Sequence, residues 1–248
     1  MPVTHQRLMS RNRMLRFLEE LENASGITVS LCFPPGVTEI EIEELIDRAS
    51  GLPEMPSDLV NLIRTSKTGA AIFCGKQNRC MVIPPFPIVE KQIFDGYHPT
   101  CLSSLLQHDL LIALVLVRLG DYAIGVFRGE EFLTGKVGTG LVHSRHRKGG
   151  SSQRRFERHR EKQMESFFIR VCGHVRAQLE PYALHLDYIF YGGERNTLLN
   201  FRKQCRFLEQ FDSQTMENVL NVRRPRQADL KESIAQVWSS QLIEWKSG

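Results

Sequence analysis

The sequence predicts an α/β protein in two domains: a smaller α+β domain over residues 1–107, then a mixed-sheet domain over residues 108–248. Three observations carry this. Leu110–Val137 reads as three strands joined by two tight turns, at Gly120-Asp121 and Gly129-Glu130, which is an antiparallel meander. A long helix follows, from about Ser152 to Leu179. Its apolar residues Met164, Phe167, Phe168, Val171, Cys172, Val175 and Leu179 recur at intervals of three and four, the spacing of one buried helix face. Strand and helix signals then alternate to the end of the chain.

In order, residues 4–23 carry Leu8, Leu15, Leu18 and Leu21 among charges and read as a helix ended by Gly26. Ile27–Phe33 is a strand, stopped by Pro34-Pro35-Gly36. Thr38 with Glu41 has the spacing of a capping box for a helix through Ala49, and Ser57 starts a short helix to about Thr65. Ala70–Cys74 and Arg79–Ile83 are strands around a polar GKQN turn. Pro84–Pro87 is a rigid crossing before a strand near Ile88–Phe94.

The second region comprises strands Leu110–Arg118, Tyr122–Arg128 and Glu131–Val137, and then the long helix, closed by Pro181. Strand Leu186–Tyr191, helix Glu194–Glu209, strand Asn218–Val222 and a final helix Pro225–Trp245 complete it. The order βββαβαβα, with right-handed crossovers after the meander, is that of a ribonuclease-H-like mixed sheet with helices on its faces. Fold does not set chemistry. A metal nuclease on this frame needs clustered carboxylates, one of them within the first strand, and LLIALVLVR has none.

Composition narrows the classes further. The longest apolar run, Leu110–Val117, is far short of the roughly 20 residues a bilayer span needs. Arg7, Arg11, Arg13 and Arg16 are followed by Glu19, Glu20 and Glu22 rather than by an apolar stretch, which argues against a signal peptide. Cys32, Cys74, Cys80, Cys101, Cys172 and Cys205 form no C-x-x-C pair and mostly sit in apolar stretches, so buried free thiols in a reducing cytosol are expected. No cofactor is expected. His143-x-x-His146 lacks an acidic or cysteine companion, so no metal site is expected there.

The charge is focused. The chain is net +4, with a pI near 8.8. His143–Lys162 (HSRHRKGGSSQRRFERHREK) holds eight lysines and arginines against Glu157 and Glu161, a net +6, so the rest of the chain is net −2. Such a cluster attracts phosphate and gains from counterion release. A solvated helix start with i,i+4 ion pairs accounts for Arg158–Lys162. It does not account for His143, Arg145, His146, Arg147 and Lys148 packed directly before two glycines. Arg145, Arg147, Lys148, Arg154, Arg155 and Arg158 are therefore candidate RNA-phosphate contacts.

Gly149-Gly150 lets backbone approach a partner closely, just before a helix start where free N–H groups favour negative charge. Ser151 and Ser152 suit an N-cap. Gly135-Lys136 after Gly129 mimics a phosphate loop but is one residue too long, and Val137 stands where Ser or Thr is required. A serine nucleophile with His143 or His146 would have no evident orienting acid.

The stretch GKVGTGLVHSRHRKGGSSQRRFERHREKQ resembles the catalytic loop of release-factor-like peptidyl-tRNA hydrolases of ribosome rescue. These are bacterial relatives of the eukaryotic Vms-type tRNA-cleaving factor, similar in turn to the central domain of archaeal and eukaryotic class I peptide-chain release factors. The resemblance is strongest over Leu110–Gln163, extends more weakly to the end, and reaches faintly into the first region through VSLCFPPG. The release factors carry Gly-Gly-Gln. Here Ser151 and Ser152 separate Gly149-Gly150 from Gln153, matching a Gly-x-Ser-Gln pattern of the rescue family.

The resemblance implies a ribonuclease-H-like catalytic domain and a catalytic set of Gln153, Gly149, Gly150 and Ser152. It implies a cytoplasmic, monomeric factor whose partners are the large ribosomal subunit and P-site peptidyl-tRNA, with no membrane partner. Stop-codon motifs of the archaeal type are not evident in the first region, so the implied activity is codon-independent. Two alternatives stay open: a non-catalytic RNA-binding ribosome factor, and an endonuclease cutting the 3′ CCA end of peptidyl-tRNA.

Overall fold

A computed structural model describes residues 5–23, 26–49, 55–75, 78–142 and 151–245, with the side chains of residues 151–154 left out of that description. The chain order is β1 (His5–Met9), α1 (Arg11–Asn23), β2 (Ile27–Phe33), α2 (Glu39–Arg48), α3 (Ser57–Thr65), β3 (Ala70–Gly75), β4 (Arg79–Ile83), β5 (Gln92–Asp95) and α4 (Thr100–Gln107). Then follow β6 (Leu111–Arg118), β7 (Asp121–Arg128), β8 (Glu131–Thr139), α5 (Ser151–Leu179), β9 (Tyr188–Gly193), α6 (Arg195–Gln204), α7 (Gln227–Val237) and β10 (Ser240–Glu244). The chain divides into two units, residues 1–108 with 235–248, and residues 109–234. Among the described residues no helix is long and apolar enough to cross a membrane.

The first unit is an antiparallel sheet in the order β1-β10-β4-β3-β2-β5, with helices on both faces. Strand alternation divides the core. Leu31, Phe33, Ile72 and Met81 pack with Ile42, Leu45, Leu59 and Ile63 of α2 and α3. Cys32, Phe73 and Val82 pack on the other side with Met14, Leu18, Leu102 and Leu106 of α1 and α4. The capping box is present: the Glu41 backbone N–H donates to the Thr38 hydroxyl, and the Thr38 backbone N–H donates to the Glu41 carboxylate at 2.9 Å. Those bonds, helped by Lys91 at 3.2 Å, hold the Glu41 carboxyl down to about 2.

Several elements differ from the sequence reading. His5–Met9 is a strand rather than the start of a helix, and Ser240–Glu244 is a strand rather than the end of one. The two pair with each other, His5 opposite Glu244 and Met9 opposite Ser240, and β10 also pairs with β4. These pairings bring the C-terminal segment of the expected second domain into the first unit. Helix α4 had no counterpart in the reading, and the strand expected at Ile88–Phe94 is confined to β5, because Pro87 precedes it and the Ile88 N–H bonds instead to the Thr68 carbonyl at 3.0 Å. The cysteines are not all free thiols. Cys32–Cys101 and Cys172–Cys205 are disulfides, and only Cys74 and Cys80 are free and buried.

The second unit has the strand order β8-β7-β6-β9, with β6 antiparallel to β7 and parallel to β9, a mixed α/β sheet of the ribonuclease-H-like order. Strand β6 is buried from Leu111 to Val117. Ala113, Val115 and Val117 face the α5 residues Phe167, Phe168, Val171 and Val175 in one core, with Phe201 of α6. Helix α6 stops at Gln204, and Arg206–Gln214 continues as a 3-10 segment beyond the bridged Cys205. The strand expected at Asn218–Val222 is reduced to one parallel bridge, Gly192 with Leu220, and a second bridge, Ile189 with Thr215, precedes it. The reason is local: the Val222 and Arg223 carbonyls accept from the Arg118 guanidinium, at 3.4 and 2.8 Å, instead of from a strand ladder.

Candidate functional site

Strand β8 is parallel to β6 through β7, so the chain leaves β8 at Thr139 on the same end of the sheet as Arg118 and returns at Ser151, the first residue of α5. The basic, glycine-containing segment is thus bracketed by a strand end and a helix start. Of the expected site residues, Arg145, Arg147, Lys148, Gly149 and Gly150 lie outside the described residues. Ser152, Gln153 and Arg154 belong to the first turn of α5, with their side chains outside the description. Arg155 and Arg158 are exposed on α5.

The stem of the loop is closely fitted. The Gly140 N–H donates to the Gly120 carbonyl at 2.8 Å, and Arg170 donates to the Thr139 carbonyl at 3.2 Å. A Cβ on Gly140 would stand 2.2 Å from the Arg170 guanidinium and 2.5 Å from the Phe167 ring, so only glycine fits this close crossing without a shift. Tyr122 packs edge-on against Phe167 at 6.2 Å and stacks on His174 at 5.5 Å. Burial lowers the His174 pKa, and the nearby positive charges of Lys136 and Arg170 lower it further. Burial raises that of Tyr122, against the pull of Arg170.

Helix α5 changes character along its length. Its buried stripe begins at Phe167 and runs through Phe168, Val171, Val175 and Leu179. Before it, Ser151–Ser166 covers about 24 Å at 1.5 Å per residue. From Arg155 to Lys162 every side chain except Arg160 is exposed. Phe156 is 64% exposed within this basic stretch, and Leu141 is 74% exposed on the strand side of the loop. An open depression of about 440 Å³ lies between the two limbs, lined by Leu141, Lys162, Gln163, Phe167 and Arg170 among others. The His159 ring and the Gln163 amide on its rim are 3.1 Å apart. Phe156 escaped the sequence reading; an aromatic ring between arginines was the available signal.

Among the described residues no group of three or more His, Cys, Asp or Glu could hold a metal ion. The two free thiols lie in the first unit. Burial pushes Cys74 up to about 12 and Cys80 further still, so neither is a nucleophile near neutral pH. What the arrangement offers is exposed cationic charge and a solvent-facing ring beside a loop stem locked by glycine.

The profile of the family described as Actinobacteria/chloroflexi VLRF1 release factor matches residues 111–243. The chain is similar to peptide chain release factor subunit 1 of Aeropyrum pernix, 25% identical over 207 residues, covering 71% of this chain and 54% of that protein. The corresponding protein of Archaeoglobus fulgidus is 25% identical over 164 residues, covering 64% of this chain and 39% of that protein. The chain therefore spans about half the length or less of these curated relatives. Among solved structures, one described as the Vms1 mitochondrial localization core is similar at 16% identity and a TM-score of 0.39, over 77% of this chain and 84% of that one.

Proposed function

The chain belongs to the Actinobacteria/chloroflexi VLRF1 release-factor family, and on that footing we propose that it is a cytoplasmic, ribosome-associated peptidyl-tRNA hydrolase that frees stalled nascent chains without reading a codon. The observation that carries this reading is a coincidence of sequence and position. The release-factor match spans the segment in which Gly149-Gly150-Ser151-Ser152-Gln153 runs into the start of α5, directly before an exposed basic helix.

Ester cleavage needs a positioned nucleophile, water or a ribose hydroxyl, and hydrogen-bond donors for the developing oxyanion. Neither task requires a titrating side chain. The Gln153 amide orients the nucleophile or donates to the oxyanion. Gly149 and Gly150 permit the backbone to approach the 3′ end of the tRNA, and Ser152 spaces the glutamine from them. Arg145, Arg147, Lys148, Arg154, Arg155 and Arg158 neutralise phosphates, and Phe156 offers a face on which an unpaired base can stack. The partners in this reading are the large ribosomal subunit and its P-site peptidyl-tRNA, with the protein acting as a monomer.

The test is peptide release from stalled large-subunit complexes by wild type and Gln153→Ala. Loss of one oxyanion donor in other enzymes costs about 100-fold or more, and a fall of that order is expected here. Release by the variant at the wild-type rate would refute the assignment. Sizing the tRNA on a gel separates the chemistries: intact tRNA means ester hydrolysis, and tRNA shortened at its 3′ end means phosphodiester cleavage.

A further inference from the structure

The loop is not the only cationic feature at its end of the sheet. Strands β6 and β9 are parallel, and the Gly192–Leu220 bridge is parallel as well. Their carboxyl ends, carrying Arg118, then Gly193 followed by Arg195, and then Arg223-Arg224, therefore lie at the end from which β8 delivers the basic loop. The contacts there are direct. Arg118 donates to the Val222 and Arg223 carbonyls. The Gly193 N–H donates to the Leu220 carbonyl at 3.0 Å. Arg224 pairs with Asp121 at 3.4 Å, next to Gly120, whose carbonyl holds Gly140 at the loop stem.

We propose that Arg195 and Arg223, positioned by Arg118 and with Arg224 holding Asp121, form a second phosphate-binding surface at the loop-stem end of the sheet that tracks the sugar-phosphate backbone of RNA. The proposal rests on the reading of the chain as a factor acting on ribosome-bound tRNA. Isolated surface arginines are usually just solvated. With Arg118, these come from three segments of chain that only the sheet topology brings to one end.

Arg195 and Arg223 are exposed and make no ion pair with any described residue, so their guanidinium groups are available to a ligand. Asp121 is paired with Arg224, and Glu194 accepts from the Thr197 hydroxyl at 3.1 Å, a bond that orients its carboxylate and leaves its charge in place. Arg118 is a positioning residue. Its guanidinium donates to the Val222 and Arg223 carbonyls just beyond the Gly192–Leu220 bridge and so holds the backbone of Arg223. Arginine suits this use because its planar fork meets phosphate oxygens in pairs.

The experiment uses the full chain and measures binding against salt concentration, on deacylated tRNA and separately on vacant large subunits. The variant is Arg195→Ala/Arg223→Ala, which removes charge without breaking an observed ion pair, with Arg195→Lys/Arg223→Lys as its charge-preserving companion. The slope of log K against log salt becomes shallower by about 0.7–0.9 for each phosphate that is no longer neutralised, so by about 1.5 for the alanine pair, while the lysine pair keeps most of the slope. Thermal unfolding is unchanged in both, which separates the effect from misfolding. A change on free tRNA identifies tRNA as the source of the phosphates, and a change on vacant subunits alone identifies ribosomal RNA. A slope unchanged on both overturns the proposal. That failure is distinct from failure of the hydrolase reading, which is decided by release with Gln153→Ala and leaves the salt slope as it was.

Discussion

From Phe167 to Leu179, α5 buries Phe167, Phe168, Val171, Val175 and Leu179 against the mixed sheet and is bridged to Cys205 through Cys172. From Arg155 to Lys162 the same helix carries exposed arginines, glutamates and an exposed phenylalanine. The two halves share one backbone and one set of hydrogen bonds, yet they answer to different forces. The C-terminal half is held by apolar burial. The N-terminal half gains little from burial, and its charges face solvent. The contrast teaches that a helix can be anchored at one end so that its other end is presented, and that the presented end can vary in chemistry without endangering the fold.

The largest effect should come from breaking the anchored half. Phe168→Ala removes a ring that contacts both Phe167 and Phe201 at 5.8 Å between centroids. A fully buried Phe→Ala change costs about 3–5 kcal/mol, read as a lower denaturant midpoint, and the proposed release activity falls with it. The presented half predicts the opposite pattern. Arg155→Ala/Arg158→Ala should shift stability by no more than about 0.5 kcal/mol while weakening binding to large subunits in a salt-dependent way. If that variant instead unfolds the domain, the division of α5 into an anchoring and a presenting half is wrong.

The smallest effect concerns the junction, where His174 stacks on Tyr122. Its folded pKa is lowered from the ordinary 6.5, so the unfolded chain takes up the proton first. Stability from this site is therefore complete above about pH 6.5 and is lost as the pH falls from there toward the lowered folded value. Denaturant midpoints at pH 7.5 and 5.5 should differ slightly less for His174→Gln than for wild type. Equal differences would remove His174 from the account. The Glu41 cap does not confuse the measurement, because it titrates between 4.5 and about 2, below this window.

The elements legible in the sequence were those specified within a few residues. Thr38 and Glu41 announced a capping box because both partners sit within one turn. The α5 stripe announced its buried face through its spacing, and the β6–β7–β8 meander through two glycine turns, Gly120 and Gly129, both with positive φ. The basic segment was legible as charge, and its place between β8 and α5 followed from the order of elements. Phe156 was visible only as a letter until its exposure was known.

Local sequence thus sets the capped and periodic helices, the β6–β7–β8 meander and the place of the basic segment in the chain, since these depend on periodicity, caps, turns and net charge. Tertiary structure decided the rest. The β1–β10 pairing joins residues more than two hundred positions apart, and His5–Met9 is almost wholly exposed, so no apolar alternation marks it as a strand. The Cys32–Cys101 and Cys172–Cys205 bridges, and the meeting of Arg118 with Val222 and Arg223, depend on which distant segments the sheets bring together. Such contacts are set by chain closure and packing over long separations, and the spacing of neighbouring residues carries no record of them.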